Sequence, residues 1–305
     1  MERKKRKYID KRVWKDYNQE LVMRGYFYIN PKFLESWNDE IKNMNAGKIG
    51  NPYLYPESMI ESLAILHCKS FDYRALEGLM ISLSKNYKFE FPTISYTQIC
   101  RRVNQLNVSF PVENKNMVFD DIAGCDATGI KVSNRGEWIR HKWKIQRGWI
   151  KVTMLGNKNG KIIDVIVGIE TSNENIAFRK LLQLHHQSVG TIYGDGLYDN
   201  KNNFELCRQL KIKPVFKIRK NASDNANGSM FRKEFVRQYK KLGYKKWSKK
   251  NRYGNRWLCT EVIFSAVKRI NGEYVRAKKK ENMMHEAKMK FWAYNKLREA
   301  KNILN

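Results

Sequence analysis

A disulfide framework, a zinc site and a membrane span are each excluded by something this sequence has too little of. Its five cysteines (Cys68, Cys100, Cys125, Cys207, Cys259) are scattered, odd in number and never spaced C-x-x-C. That pattern fits neither a disulfide framework nor a zinc site, and it suits a reducing, intracellular setting. No uncharged apolar run reaches the ~18 residues of a membrane span, and the basic start, MERKKRKYIDKR, leads into no apolar h-region, so the chain reads as neither membrane-spanning nor secreted. Acids are scarce as well: 30 Asp and Glu stand against 59 Lys and Arg, a formal charge of +29. Such an excess draws a chain toward a polyanion and speeds their encounter, which makes nucleic acid the first partner to consider.

With 305 residues and 42% apolar side chains, the chain can bury a sizeable core without staples. Its charge is unevenly spread. Residues 1–115 carry 19 basic and 13 acidic side chains, leaving 40 against 17 for residues 116–305. Residues 211–256 hold 16 Lys or Arg and only two acids, Asp224 and Glu234. This stretch is the candidate phosphate-binding surface, with Lys245, Lys246, Lys249 and Lys250 its densest cluster; a solvated helical face is the alternative. Trp247, set among those lysines, is a candidate for base stacking, while the other tryptophans read as core.

Apolar spacing predicts helices at about 13–24, 57–68 behind Pro56, 73–85 after Asp72, and from Ser95 onward with Ile99, Val103 and Leu106 on one face and Arg101 and Arg102 on the other. The last two helices, joined by the link 86–94, form a helix-turn-helix-like pair that could contact DNA through Arg101 and Arg102. A boundary is expected at 112–117, dividing a helical domain (1–115) from a second domain (116–305). Strands follow at Val118–Cys125 continuing through Thr128–Val132, at Gly148–Leu155 and at Ile162–Ile169, with Gly156-Asn-Lys-Asn-Gly160 as a tight hairpin turn. Then come a helix at 174–186, a short strand Thr191–Tyr193, a helix at 201–210 and a strand Pro214–Ile218. Three antiparallel strands, a helix, and two parallel strands flanking a helix make up a mixed-sheet α/β domain of the ribonuclease-H-like kind. Helices at about 257–270 and 281–301 close the chain. Asn221–Ser229 reads as a polar loop, and whether 219–256 is an ordered insertion or an arm that folds on DNA is left open.

Two-metal phosphodiester chemistry needs converging carboxylates that stay few, so that the protein still attracts a polyanion. Asp126 in Gly-Cys-Asp-Ala-Thr-Gly and Asp195 in Tyr-Gly-Asp-Gly-Leu-Tyr-Asp are each read as ending a hydrophobic strand, where open α/β sheets build their sites. Flanking small residues would leave the backbone open to a ligand. Glu261 shares a helical face with residues 265 and 268, so that Glu261 could meet a metal while Lys268 reaches a phosphate. An Asp ending a strand is more often a turn former than a ligand; it is the agreement of three acids with one fold that favours a site. Asp120, Asp121 and Asp199 are nearby carboxylates, with Asp199 the supporting candidate. His185 and His186 end a helix, where dipole compensation is the simpler role.

Read in order, Tyr17-Asn18…Leu21-Val22…Arg24-Gly25, Arg101-Arg102, Asp126-Ala-Thr-Gly129, Gly194-Asp-Gly-Leu-Tyr-Asp199 and Glu261…Phe264-Ser265…Lys268-Arg269…Gly272-Glu273 resemble the insertion-sequence-five-like group of DDE transposases, over nearly the whole chain. The resemblance implies that Asp126, Asp195 and Glu261 are the catalytic, metal-binding triad. It also implies two Mg²⁺ or Mn²⁺ ions ~3.5–4 Å apart, one activating water or a 3′-hydroxyl and the other stabilising the leaving oxygen. Implied partners are double-stranded DNA, both transposon terminal inverted repeats and target, and further copies of the chain, with no membrane; the implied setting is the prokaryotic cytoplasm, at the nucleoid. The pattern departs at one point. The family's Tyr and Arg, seven and four residues before the Glu, fall on Gly254 and Trp257 here, and Tyr253 and Arg256 lie one residue further upstream, through an insertion or a shifted helix start. The alternatives are a transposase-derived DNA-binding protein that has lost catalysis, whose signature would be a missing triad acid, and a basic RNA-binding protein, which explains the charge but not the acids.

Overall fold

The computed structural model describes residues 13–29, 32–87, 91–111, 121–132, 148–225 and 228–299. The expected boundary at 112–117, the strand start at Val118, Asp120, part of the link 86–94 and the basic start lie outside them.

Five helices come first: α1 (Trp14–Ile29), α2 (Trp37–Asn45), α3 (Glu57–Cys68), α4 (Tyr73–Tyr87) and α5 (Tyr96–Gln105). Their starts follow local chemistry. Asp72 accepts the Ala75 N–H at 2.8 Å ahead of α4, and Ser95 opens α5 with a reciprocal capping box to Gln98. The sheet contains β1 (Ile122–Val132), β2 (Trp149–Asn157), β3 (Ile162–Ile169), β4 (Thr191–Gly194), β5 (Lys213–Phe216) and a two-residue β6 (Tyr274–Val275). Its order is β3-β2-β1-β4-β5, with β1–β2–β3 antiparallel, β4 and β5 parallel to β1, and β6 pairing the far end of β1. This is the ribonuclease-H-like arrangement expected from the sequence. The β2–β3 turn closes because Asn157 bonds Lys161 through both main chain and side chain and Gly160 takes φ 78°.

Helix α6 (Glu174–His185) precedes β4, and α7 (Lys201–Gln209) links β4 to β5. Both cover one face of the sheet, where Ala123, Cys125 and Leu155 meet Phe178, Leu181, Phe204 and Phe216. His185 is buried at the end of α6 and its Nε2 lies 2.9 Å from Asp164, so it ties the helix to β3. Beyond β5 run α8 (Met230–Lys250, bent at Gly243), α9 (Asn255–Cys259), α10 (Glu261–Asn271) and α11 (Lys280–Glu299). The segment 219–256, left open by the sequence, is largely helical among its described residues. The single helix expected at 257–270 is two, divided at Thr260 (φ −127°, ψ −72°).

The opposite face of the sheet offers Ile130, Ile150, Val152 and Met154, the period-2 alternates of the first set. It is covered by α10 and α11, and the same core continues into α3, α4 and α5 through Ile60, Leu63, Leu76, Ile99 and Val103. Polar bonds reinforce the junction. Lys69 Nζ donates to the Ile270 carbonyl at 3.0 Å, and the Arg276 guanidinium donates to the carbonyls of His67 (2.6 Å) and Ser70 (3.0 Å). Lys296 pairs with Glu61 at 3.0 Å.

Candidate active site

Three acids far apart in sequence open onto one hollow, lined by Asp126, Asp195, Arg256, Glu261, Ser265 and Lys268. Asp126 comes from the middle of β1, not from a strand end. The strand stays paired with β2 through Lys131, and it is the pairing with β4 that stops at Gly124, so the open edge is on the β4 side. Asp195 directly follows β4 and accepts the Leu197 N–H at 2.7 Å, which turns its carboxylate at the strand tip. Glu261 begins α10; Ser265 and Lys268 follow it along the same helical face.

Arg256, on α9, lies between two of the acids. Its Nη1 donates to Asp126 Oδ2 at 2.8 Å, and its Nη2 is 3.6 Å from Glu261 Oε1. The chain breaks at Thr260 between this arginine and Glu261, and the Thr260 hydroxyl donates to the Arg256 carbonyl at 2.9 Å. Burial pushes the Asp126 carboxyl up to about 6; the Ala127 N–H and Arg256 oppose this, and the charges of Asp195 and Glu261 add to it. Burial also lowers the Lys268 ammonium, while Glu273 and Glu261 hold it up. Three carboxylates are the hard oxygen donors that suit Mg²⁺ or Mn²⁺, and their mutual repulsion at Asp126 is what a cation would relieve. Yet no group of three or more Asp, Glu, His or Cys among the described residues stands close enough together to hold an ion. The donor set fits; its spacing is that of an arginine-filled site.

The glycines near the acids serve packing, where the sequence suggested access for a ligand. A Cβ on Gly124 would meet Cys259 Cβ at 2.7 Å, one on Gly156 would meet the Cys259 carbonyl at 2.4 Å, and one on Gly129 would meet the Trp149 ring at 2.4 Å. Bare backbone in β1 and β2 is thus what lets α9 sit on the sheet with Arg256 above Asp126. Tyr253 is buried, and its hydroxyl donates to the Gly194 carbonyl at 3.1 Å, bracing the strand that delivers Asp195.

The remaining sequence candidates divide. The side chain of Asp199 is fully buried and accepts from Arg232 Nε (2.7 Å) and the Arg219 N–H (3.0 Å), away from the hollow. Asp121 lines a separate cleft beside Lys158 and Lys161. Trp247 is not a stacking platform. It is 2% exposed and packs its ring about 5.1 Å from those of Tyr239 and Tyr253, because the bend at Gly243 turns it inward while Lys245, Lys246, Lys249 and Lys250 remain exposed. Arg101 is exposed beside a groove with Tyr53, Leu54 and Gln105. Arg102 instead stacks on Tyr53, 4.8 Å from the ring centre, and donates to the Tyr55 carbonyl at 3.4 Å. The sequence reading missed α8 and the Tyr193–Asn251 bond (3.0 Å) that holds the end of α8 to β4.

Among the described residues no helix is long and apolar enough to cross a membrane. No curated protein matches the chain. Among solved structures, it is similar to the piggyBac transposase synaptic complex with hairpin DNA, at 10% identity over 93% of this chain and 82% of that one, TM-score 0.30. It is also similar to the Drosophila P element transposase strand transfer complex, at 12% identity over 92% and 86%, TM-score 0.30. Two models described as transposase DDE domain match residues 22–135 and 119–296, the second spanning more than half the chain, and the chain accordingly belongs to the transposase DDE-domain family.

Proposed function

We propose that this transposase cuts transposon-end DNA and joins it to a target through Asp126, Asp195 and Glu261, acting as a multimer on double-stranded DNA in a prokaryotic cytoplasm. The observation that carries the reading is the meeting of three acids, from β1, the tip of β4 and the start of α10, in one hollow beside Lys268 of an otherwise basic protein. Bound by these carboxylates, divalent cations would supply Lewis acidity to the scissile phosphate and a lowered pKa to the attacking water or 3′-hydroxyl.

The protein's own groups have distinct tasks. Lys268 offsets phosphate charge at the edge of the hollow. Tyr253 fixes the Gly194 carbonyl and with it the direction of Asp195. Asp199 pins Arg219, whose guanidinium donates to the Gly196 and Leu197 carbonyls, so the turn after Asp195 keeps its shape. The exposed lysines of α8 track the DNA backbone, and the layer of α1 to α5 grips the ends through Arg101.

The test is Mg²⁺- or Mn²⁺-dependent nicking of DNA carrying the element's own ends by the purified protein and by Asp195→Asn. Cleavage by the first alone is expected. Equal binding with no cleavage by either would sink the catalytic reading.

A further inference from the structure

The guanidinium of Arg256 occupies the ground between Asp126 and Glu261, at 2.8 and 3.6 Å, whereas Asp195 has no ion pair among the described residues. A fork and an ion exclude each other there. Acid oxygens that face separate nitrogens of a guanidinium, one hydrogen-bonded and one in a looser ion pair, lie on its outer edges, but ligands of one Mg²⁺ must all come within about 2.0–2.1 Å of it. The backbone beneath Arg256 is fixed, since Cys259 is buried against Gly124 and Gly156 and Thr260 bonds the Arg256 carbonyl. The side chain is therefore the part free to move. It lines the hollow and is already 20% exposed there.

We propose that Arg256 is an exchangeable counter-charge: in the free protein it neutralises Asp126 and Glu261, and a DNA phosphate draws it away, so that divalent cations load only once DNA is seated. The inference rests on the reading of the three acids as a metal site. A phosphate offers the guanidinium two charge-assisted hydrogen bonds, which replace the hydrogen bond to Asp126 and the ion pair with Glu261 that it gives up. Because binding free energies are linked, DNA tightens metal binding by the same factor as metal tightens DNA binding. A protein wired this way keeps its reactive ions out until a phosphodiester is present.

Mn²⁺ binding, followed by loss of the free-ion paramagnetic resonance signal, tests this with and without a short DNA duplex. Without DNA, Arg256→Gln is expected to bind Mn²⁺ about tenfold or more tightly than the wild type, a factor typical of coupled sites. Lys268→Gln, which removes the same charge without vacating the bridge, is expected to gain much less. DNA should then tighten the wild type more than Arg256→Gln. The proposal is overturned if Arg256→Gln gains no more than Lys268→Gln, or if DNA helps both proteins equally, as it would by merely adding phosphate ligands. If Arg256→Gln does not fold, Arg256→Lys, which keeps the charge but not the fork, replaces it, with an intermediate gain supporting the proposal and none overturning it. Failure of the metal-site reading looks different: Mn²⁺ uptake would be the same in Asp126→Asn and Asp195→Asn as in the wild type, with and without DNA.

Discussion

Asp126 is held at a cost to the fold. Its carboxyl titrates at about 6 in the folded protein against an ordinary 3.8, so at neutral pH the folded chain carries a charge it would rather lose. The sign follows: the native state binds this proton more tightly, and its contribution to stability is present below about pH 4 and lost as pH rises through 6. Asp126→Asn should therefore raise stability at pH 7 by about 1–3 kcal/mol while abolishing cleavage, and the gain should vanish in melts near pH 4. A less stable variant at pH 7 would mean that the bond to Arg256 outweighs burial. Trp247 offers the opposite contrast. Among four exposed lysines its sequence context resembles a DNA-contacting ring, but a lysine-rich sequence does not fix which way such a ring faces, and it is the bend at Gly243 that decides. Trp247→Ala should cost about 3–5 kcal/mol in denaturant melts, as for other buried aromatics.

At the scale of elements, the strands and most helices were legible because their signals are local: alternation in β2, Gly160 in the hairpin, Ser95 at the start of α5. Helix α8 was not, because its apolar positions (Phe231, Phe235, Val236, Tyr239) are sparse among lysines, and the two-residue β6 has no pattern to read. That Asp126, Asp195 and Glu261 share one hollow was expected from resemblance, but the contact of Arg256 with two of them was not. It depends on Gly124 and Gly156 admitting α9 to the sheet, a contact between residues more than 100 positions apart. Gly124→Ala should push α9 outward, cost about 1–3 kcal/mol through overpacking and lose cleavage, with DNA binding by gel shift kept. The junction between α3 and β6 yields a pH test. Burial and the Arg276 guanidinium press His67 down to about 4 from 6.5. Its neutral form is the native one, so the stability it protects is present above pH 6.5 and lost as pH falls toward 4, by roughly 3 kcal/mol in total. Melts of His67→Gln should show a shallower acid slope over that range.

The whole molecule is a basic body, of formal charge +29, in which three acids open onto one hollow. Neutralising Lys245, Lys246, Lys249 and Lys250 should weaken binding about equally across DNA sequences and flatten its salt dependence by about 0.9 in log–log slope per lost phosphate contact. An unchanged slope would remove α8 from the DNA path. Because α5, the sheet and α11 share one interior, with Ile99 and Val103 in the same core as Ile130 and Phe291, the helical layer does not swing as a separate arm. Arg101 and Asp126 then keep a constant separation, and with Arg101 as the proposed grip and Asp126 at the proposed cut the protein would work as a caliper: the cut would fall a set length from the grip, whatever bases lie between. Base pairs inserted between the gripped sequence and the natural cut would move the break to new bases instead of abolishing it.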